Sequence, residues 1–207
     1  MQKQSSHQLI KVLQAQVNQS LNLAISIWQL IPHTQFAQKP AAQSWSANEC
    51  VQHLNSYGRY YLPAIGNAIE KAKKDPQNAA GFFTPGWLGN YFTKIMQPAI
   101  NGQRTKKMKS PKDHFPTAIV ESHLIIAEFI DQQEKLLQLL EEAGQVNLEA
   151  VRVPISISKL IKLKLGDTFN FLVAHQNRHL LQAAGALKLA GISGLVLAGK
   201  NEVPFAG

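Results

Sequence analysis

Apolar residues recur at three- and four-residue steps along four long stretches of this chain, the mark of helices with one buried face. In the first stretch Leu9, Val12, Leu13, Val17, Leu21, Ala24, Ile27, Trp28 and Ile31 predict a helix from Gln8 to Ile31, ended by Pro32. The second carries Val51, Leu54, Tyr57, Tyr61, Ile65 and Ile69, and it opens on Ser46-Ala47-Asn48-Glu49. That spacing is a capping box: the serine hydroxyl takes one free amide of the first turn, and the glutamate reaches back to the serine's own amide. It predicts a helix over Ala47–Lys74, bent at Pro63. In the third, Ile119, Leu124, Ala127, Ile130, Leu137 and Leu140 predict a helix from Thr117 to Ala143, with Pro116 suited to its first turn and Gly144 to its end. Phe169, Leu172, Val173, Leu180, Ala183 and Leu187 predict a fourth, opening at Gly166 with Asp167 or Thr168 as its cap and fading after Ala190.

The connections are long. Between the second and third helices, residues 75–116 are punctuated by Gly81, Pro85, Gly86, Gly89, Pro98, Gly102 and Pro111. A short amphipathic segment around Trp87, Tyr91, Phe92 and Ile95 is expected there, covering one end of the core. The linker Gln145–Gly166 holds Pro154 and an Ile-Ser-Ile-Ser alternation read as too short for a sheet. The tail from Gly191 to Gly207 is glycine-rich without a period. The expected fold is all-α: a four-helix bundle over residues 1–190, with crossover connections, a Pro/Gly-rich insertion at 75–116 and a tail at 191–207.

Composition agrees with one cored domain, since 45% of the 207 residues are hydrophobic and only 16% are charged. The net charge of +8 raises nucleic acid, an anionic membrane surface or an acidic substrate as partners. Part of the excess is local, in Arg104, Lys106, Lys107, Lys109 and Lys112 and again in Lys159, Lys162 and Lys164. Neither cluster is interleaved with stacking aromatics, so a solvated basic loop is preferred to a nucleic-acid interface. Leu180–Ala198 is broken by Lys188 and by glycines, and reads as a buried helix and tail, not a membrane span, and no membrane partner is expected. A single cysteine, Cys50, allows no intrachain disulfide, and the N-terminus lacks the apolar run of a secretory signal. A cytoplasmic location is expected.

The chemistry concentrates in the segment from Phe171 to Gln182. His175, His179 and Gln182 fall at i, i+4 and i+7, on one helical face. Two imidazoles one turn apart can point at a common atom, as in helical zinc sites, although such a pair is often only partly buried histidine. No Asp or Glu follows Asp167 on that helix, so a third ligand has to come from elsewhere, and the second helix offers His53. Three neutral imidazoles with an open position describe a catalytic centre more than a structural one. Imidazole suits several transition metals: zinc or nickel is expected first, with iron or manganese as alternatives. Around the triad, Tyr57 and Tyr60 are read as donors to a bound oxygen or as packing. Arg178 is read as an anion binder or a surface residue, and Gln182 as a partner orienting a ligand or a polar residue at the core edge. Cys50 is read as a ligating or reactive thiolate or, more commonly, a small buried hydrophobe, Glu49 as a general base by position or, preferably, the capping residue, and Trp45 as a plug where the helix begins. His7, His33, His114 and His123 have no partner pattern and are taken as structural or surface residues.

The pairing of Trp45-Ser46-Ala-Asn-Glu49-Cys-Val-Gln-His53-Leu54 with His175-Gln-Asn-Arg178-His179-Leu-Leu-Gln182 resembles the DinB/YfiT-like superfamily, over roughly residues 5–190. That family pattern has a W-S-x-x-E-x-x-x-H-L segment opening the second helix and an H-x-x-x-H segment in the last. The resemblance implies an up-down-down-up four-helix bundle and a divalent metal held by His53, His175 and His179. It also implies homodimers and, in some members, transferase or isomerase chemistry on low-molecular-weight thiols such as bacillithiol or mycothiol. On that basis the expected function is a metal-dependent thiol S-transferase or hydrolase acting on a small molecule, with Tyr57, Arg178 and Gln182 as pocket candidates. The alternative is a metal-binding or stress-response bundle that catalyses nothing. The insertion and the tail lie outside the family pattern, so no substrate carries over.

Overall fold

The computed structural model describes residues 2–74, 81–97, 110–116 and 120–192. Predictions that fall on 75–80, 98–109, 117–119 and 193–207, including most of the first basic cluster and nearly all of the tail, lie outside the described residues. The fold is mostly helical. Helix α1 spans Ser6–Ser26, α2 is the single turn His33–Phe36, α3 spans Ala47–Lys74, α4 Trp87–Met96, α5 Ser122–Ala143 and α6 Leu165–Leu189. Two short antiparallel pairs complete it: β1 (Gln4–Ser5) with β2 (Phe82–Phe83), and β3 (Arg152–Ile155) with β4 (Ser158–Lys164).

Helix α3 has the predicted bounds because its N-terminal signal is local. The Glu49 amide donates to Ser46 Oγ at 3.2 Å, and the Ser46 amide donates to Glu49 Oε2 at 2.9 Å. Replacing Ser46 by Ala should cost about 1 kcal/mol of unfolding free energy, read as a lower urea midpoint at unchanged slope. Pro63 is carried inside the continuous helix.

The other ends differ from expectation. Helix α1 stops at Ser26, and Trp28–Leu30 form a separate 3-10 turn that buries Trp28. Helix α5 begins at Ser122, so Pro116 is not in its first turn. Its cap comes from elsewhere in the chain: His33 Nδ1 on α2 accepts the Ser122 amide at 3.2 Å. Helix α6 starts at Leu165, and neither Asp167 nor Thr168 caps it. Asp167 instead accepts the Gly86 amide at the start of α4 (2.9 Å), and the Thr168 hydroxyl donates to the Lys164 carbonyl (3.0 Å). The C-terminus of α6 closes as a Schellman motif, with Gly191 at φ 85° and the Ile192 and Gly191 amides on the Leu187 and Lys188 carbonyls.

The linker after α5 was expected to be too short for a sheet, but it pairs as the β3–β4 hairpin. Its support is tertiary. The Tyr60 hydroxyl donates to the Ile155 carbonyl, and the Tyr61 hydroxyl accepts the Ser156 amide, so α3 holds the turn in place. Helix α4 packs along α6 with Phe92 and Met96 against the core, whereas Trp87 and Tyr91, expected on the same covering face, are exposed.

Each long helix passes between two apolar clusters. Leu9, Ile65, Leu140 and Phe169 belong to one cluster. Leu23, Cys50, Ile125 and Leu187 belong to the other. Between them lies a layer of buried polar side chains: Ser20 of α1, His53 and Asn55 of α3, Gln133 of α5, and His175, Gln176 and His179 of α6. Burying so many polar groups is unfavourable unless they are bonded, so this layer is where a function is to be sought.

Candidate metal centre

His53 lies less than two turns into α3, with its ring only 3% exposed, and faces His175 and His179 on α6, at 2% and 8%. One nitrogen from each ring lies within 4.8 Å of the others, and the three rings are edge to face with centroids 4.6–5.0 Å apart. This is the one group of three or more His, Cys, Asp or Glu among the described residues that can hold a metal ion.

The hydrogen bonds around the triad select its tautomers. His53 Nδ1 is 2.7 Å from the His114 carbonyl, which can only accept, so that nitrogen carries the proton and Nε2 carries the lone pair. His179 Nδ1 lies 3.0 Å from Gln182 Oε1, an acceptor by amide assignment, which again leaves Nε2 free. His175 Nε2 stands 3.1 Å from His53 Nε2, and the His175 Nδ1 atom, fully buried, has no hydrogen-bond partner among the described residues. Nitrogens bound to one tetrahedral ion at about 2.0–2.1 Å sit roughly 3.3–3.4 Å apart, so two facing Nε2 atoms at this separation suit a shared cation. The donor set therefore fits a divalent ion.

Electrostatics point the same way. Burial pushes His53 down to about 4 and His179 to about 3, and holds His175 well below its ordinary value, with the neighbouring imidazoles adding to the effect. All three are neutral at pH 7, the form that ligates. Among the described residues no carboxylate stands close enough to any of them to favour the charged form.

The walls are aromatic. Trp45 lies 4.9 Å from the His53 ring and stacks on His179 at 5.7 Å. Tyr57 packs 4.2 Å from His175 and 5.0 Å from His53, and Phe171 stacks nearly parallel on His175. Phe92 of α4 packs in turn on Phe171, so α4 backs the site through that ring. Of the remaining candidates, Tyr57 is beside the triad, with burial pushing its hydroxyl pKa up. Gln182 is bonded to a triad member, and Arg178 donates to the Ile95 carbonyl at the end of α4 (3.3 Å). Tyr60 is spent on the hairpin. Cys50 is fully buried, with its thiol pushed up by burial, and Glu49 is occupied by its cap and by Lys39 at 2.7 Å.

Sequence reasoning missed His114 and Ser56. The 110–116 segment runs past α3, the His114 ring bonds Ser56 Oγ (2.5 Å) and packs 4.0 Å from Tyr57, and the His114 carbonyl orients His53. The working atom is a backbone oxygen, which no residue type announces. His114 and Ser56 also line a cavity of about 270 Å³ between α3 and α5, with Gln52, Arg59 and Glu128 at its polar edge.

Among comparisons with known proteins, the family model described as the DinB superfamily matches residues 16–183, most of the chain and both histidine segments. No curated protein and no solved structure matches it.

Proposed function

This chain belongs to the DinB superfamily, and on that premise we propose that it is a divalent-metal enzyme that activates a small thiol for S-transfer, with His53, His175 and His179 as the ligands. The observation that carries the reading is the Nε2–Nε2 approach of His53 and His175 at 3.1 Å, with the outer nitrogens of His53 and His179 already committed to acceptors. A bound zinc or nickel ion would supply Lewis acidity, lowering the pKa of a ligand such as a thiol.

The chain's own residues fix the rest. The His114 carbonyl and Gln182 hold two ligands in the metal-binding tautomer, the outer-shell role that sets ring orientation. Trp45, Tyr57 and Phe171 exclude water, and that strengthens every charge interaction inside. Among the described residues no carboxylate adjoins the triad to act as a general base. A thiol, which ionises near pH 8.5 unaided, needs less help than water does, so thiol transfer is favoured over hydrolysis.

The order in which α1, α3, α5 and α6 pass between the two core clusters supports an up-down-down-up four-helix bundle spanning residues 1–190. The homodimer and the cytoplasmic location implied by the resemblance belong to the same proposal; no helix among the described residues is long and apolar enough to cross a membrane.

The test is metal content by mass spectrometry on protein purified without a histidine tag, beside the His175→Ala/His179→Ala double variant. About one equivalent of metal in the wild type, lost in the variant, is expected. No uptake after incubation with zinc, nickel, manganese and iron would overturn the metal reading. Cobalt-loaded protein should then show a sulfur-to-cobalt charge-transfer band on adding a small thiol. Its absence would leave the non-catalytic metal-binding bundle as the better reading.

A further inference from the structure

We propose that the bulged edge of the β3–β4 hairpin docks the protein peripherally on an anionic membrane surface. The ladder is regular from Arg152–Lys164 to Pro154–Lys162, and then the next pair is Ile155–Ser158. One step on β3 is thus matched by four on β4, and Lys159, Leu160 and Ile161 are looped out of the ladder. Pro154 sits at the break and has no amide to donate, which is where a strand tolerates a bulge. The bulge does not turn its apolar residues inward. Leu160 is 94% exposed, Ile161 41% and Ile157 in the adjoining turn 64%, whereas Leu163, on the regular part of β4, is buried. Isolated exposed aliphatics are ordinary, but three within five residues at one hairpin tip form a patch.

The charge around the patch says what it fits. From Val151 to Gly166 there are four basic residues, Arg152, Lys159, Lys162 and Lys164, and no acidic one. Lys164 is engaged with the Thr84 carbonyl and Glu149, while Lys162 is exposed beside Leu160 and Ile161. Aliphatic side chains flanked by lysines match a bilayer with anionic headgroups: the chains enter the acyl boundary and the ammonium groups stay at headgroup level. Other occupants fit less well. A second copy meeting across a two-fold axis would set lysines against lysines, and three side chains fall far short of the roughly 800 Å² per partner of a stable dimer. Single-stranded nucleic acid calls for aromatic platforms, and this tip has none.

The patch involves none of the three histidines, so docking should be the same for metal-loaded and chelated protein at neutral pH. The experiment is co-sedimentation of the full chain with vesicles of phosphatidylcholine, with and without phosphatidylserine, at low and high salt. Binding is expected only with phosphatidylserine and should fall as salt rises. The Ile157→Ser/Leu160→Ser variant should bind about tenfold more weakly at unchanged circular dichroism, and Lys162→Glu should also bind more weakly. No phosphatidylserine-dependent binding of the wild type, or equal binding by the serine variant, would overturn the proposal. So would a wild-type dimer by sedimentation equilibrium that the serine variant dissociates, since the patch would then be an interface between copies.

Discussion

Stripped of metal by chelation, the protein should lose most of its stability as the pH falls from about 6.5 to 4.5. The cause is the polar layer. In the unfolded chain each histidine takes up a proton near pH 6.5, but in the fold burial holds His53 to about 4, His179 to about 3 and His175 well below its ordinary value. The unfolded state therefore binds more protons throughout that window, and stability rises with pH. The stabilising contribution of the neutral rings is complete above pH 6.5 and is lost as the pH drops toward the folded values. At pH 5 the His53 and His179 rings each cost about 2 kcal/mol, roughly 4 kcal/mol for the two, and the buried His175 ring adds in the same direction. Asp167 works in the other direction, since burial raises its carboxyl to about 6 and it favours the fold at low pH, offsetting about 1 kcal/mol. The remainder, with His175 added, is a large part of the stability of a typical domain.

The measurement is urea unfolding of chelated protein across that pH range. Its slope against pH should correspond to about two protons at pH 5–6, the three imidazoles of the unfolded chain less the proton that Asp167 holds in the fold, and His179→Gln should reduce it by about one proton, near 1.4 kcal/mol per pH unit. A flat profile between pH 6.5 and 5 would mean that the three imidazoles are not held neutral, and the geometry of the site would have to be given up. Zinc restored at pH 7 should raise the urea midpoint, because an ion that binds only the fold stabilises it by mass action.

What could be read from the sequence was whatever local spacing specifies. The capping box of Ser46 and Glu49 is a four-residue signal realised in both directions, so the start of α3 was legible to the residue. The i, i+4 pair His175 and His179 shares a face by helix geometry alone. That His53 faces them is a tertiary fact; the want of a third ligand on the last helix made His53 a candidate, and the family pattern, which joins the two segments, singled it out. What was not legible depends on groups distant in sequence. The first turn of α5 is capped by His33, 89 residues away, so its start could not be found from its own residues. Asp167 looks like a cap but serves Gly86, 81 residues earlier. The hairpin has too short an alternation to declare itself, and Tyr60 and Tyr61, both read for other roles, hold its turn.

Gly89→Val should detach α4 from the body of the protein while leaving the triad able to bind metal. Helix α4 reaches α6 through a very close approach: a Cβ built on Gly89 would lie 2.3 Å from both Cβ and Cγ of Asp167, atoms next to the backbone of α6 that cannot swing aside. The same side chain is tied by its bond to Gly86. Gly58 gives the contrast. Its added Cβ meets only the amide end of Gln132, which can rotate away, so Gly58→Ala should cost far less. At Gly89 the helices must separate, which breaks the Gly86–Asp167 bond and lifts Phe92 off Phe171, the ring stacked on His175. A loss of about 3 kcal/mol is expected, from overpacking together with an unpaired buried carboxyl. Limited proteolysis should cut within Trp87–Met96 in the variant and not in the wild type, and the metal stoichiometry should be unchanged, because α4 supplies none of the three imidazoles. Parallel loss of metal would mean that α4, through Phe171, fixes the His175 ring as well as covering it.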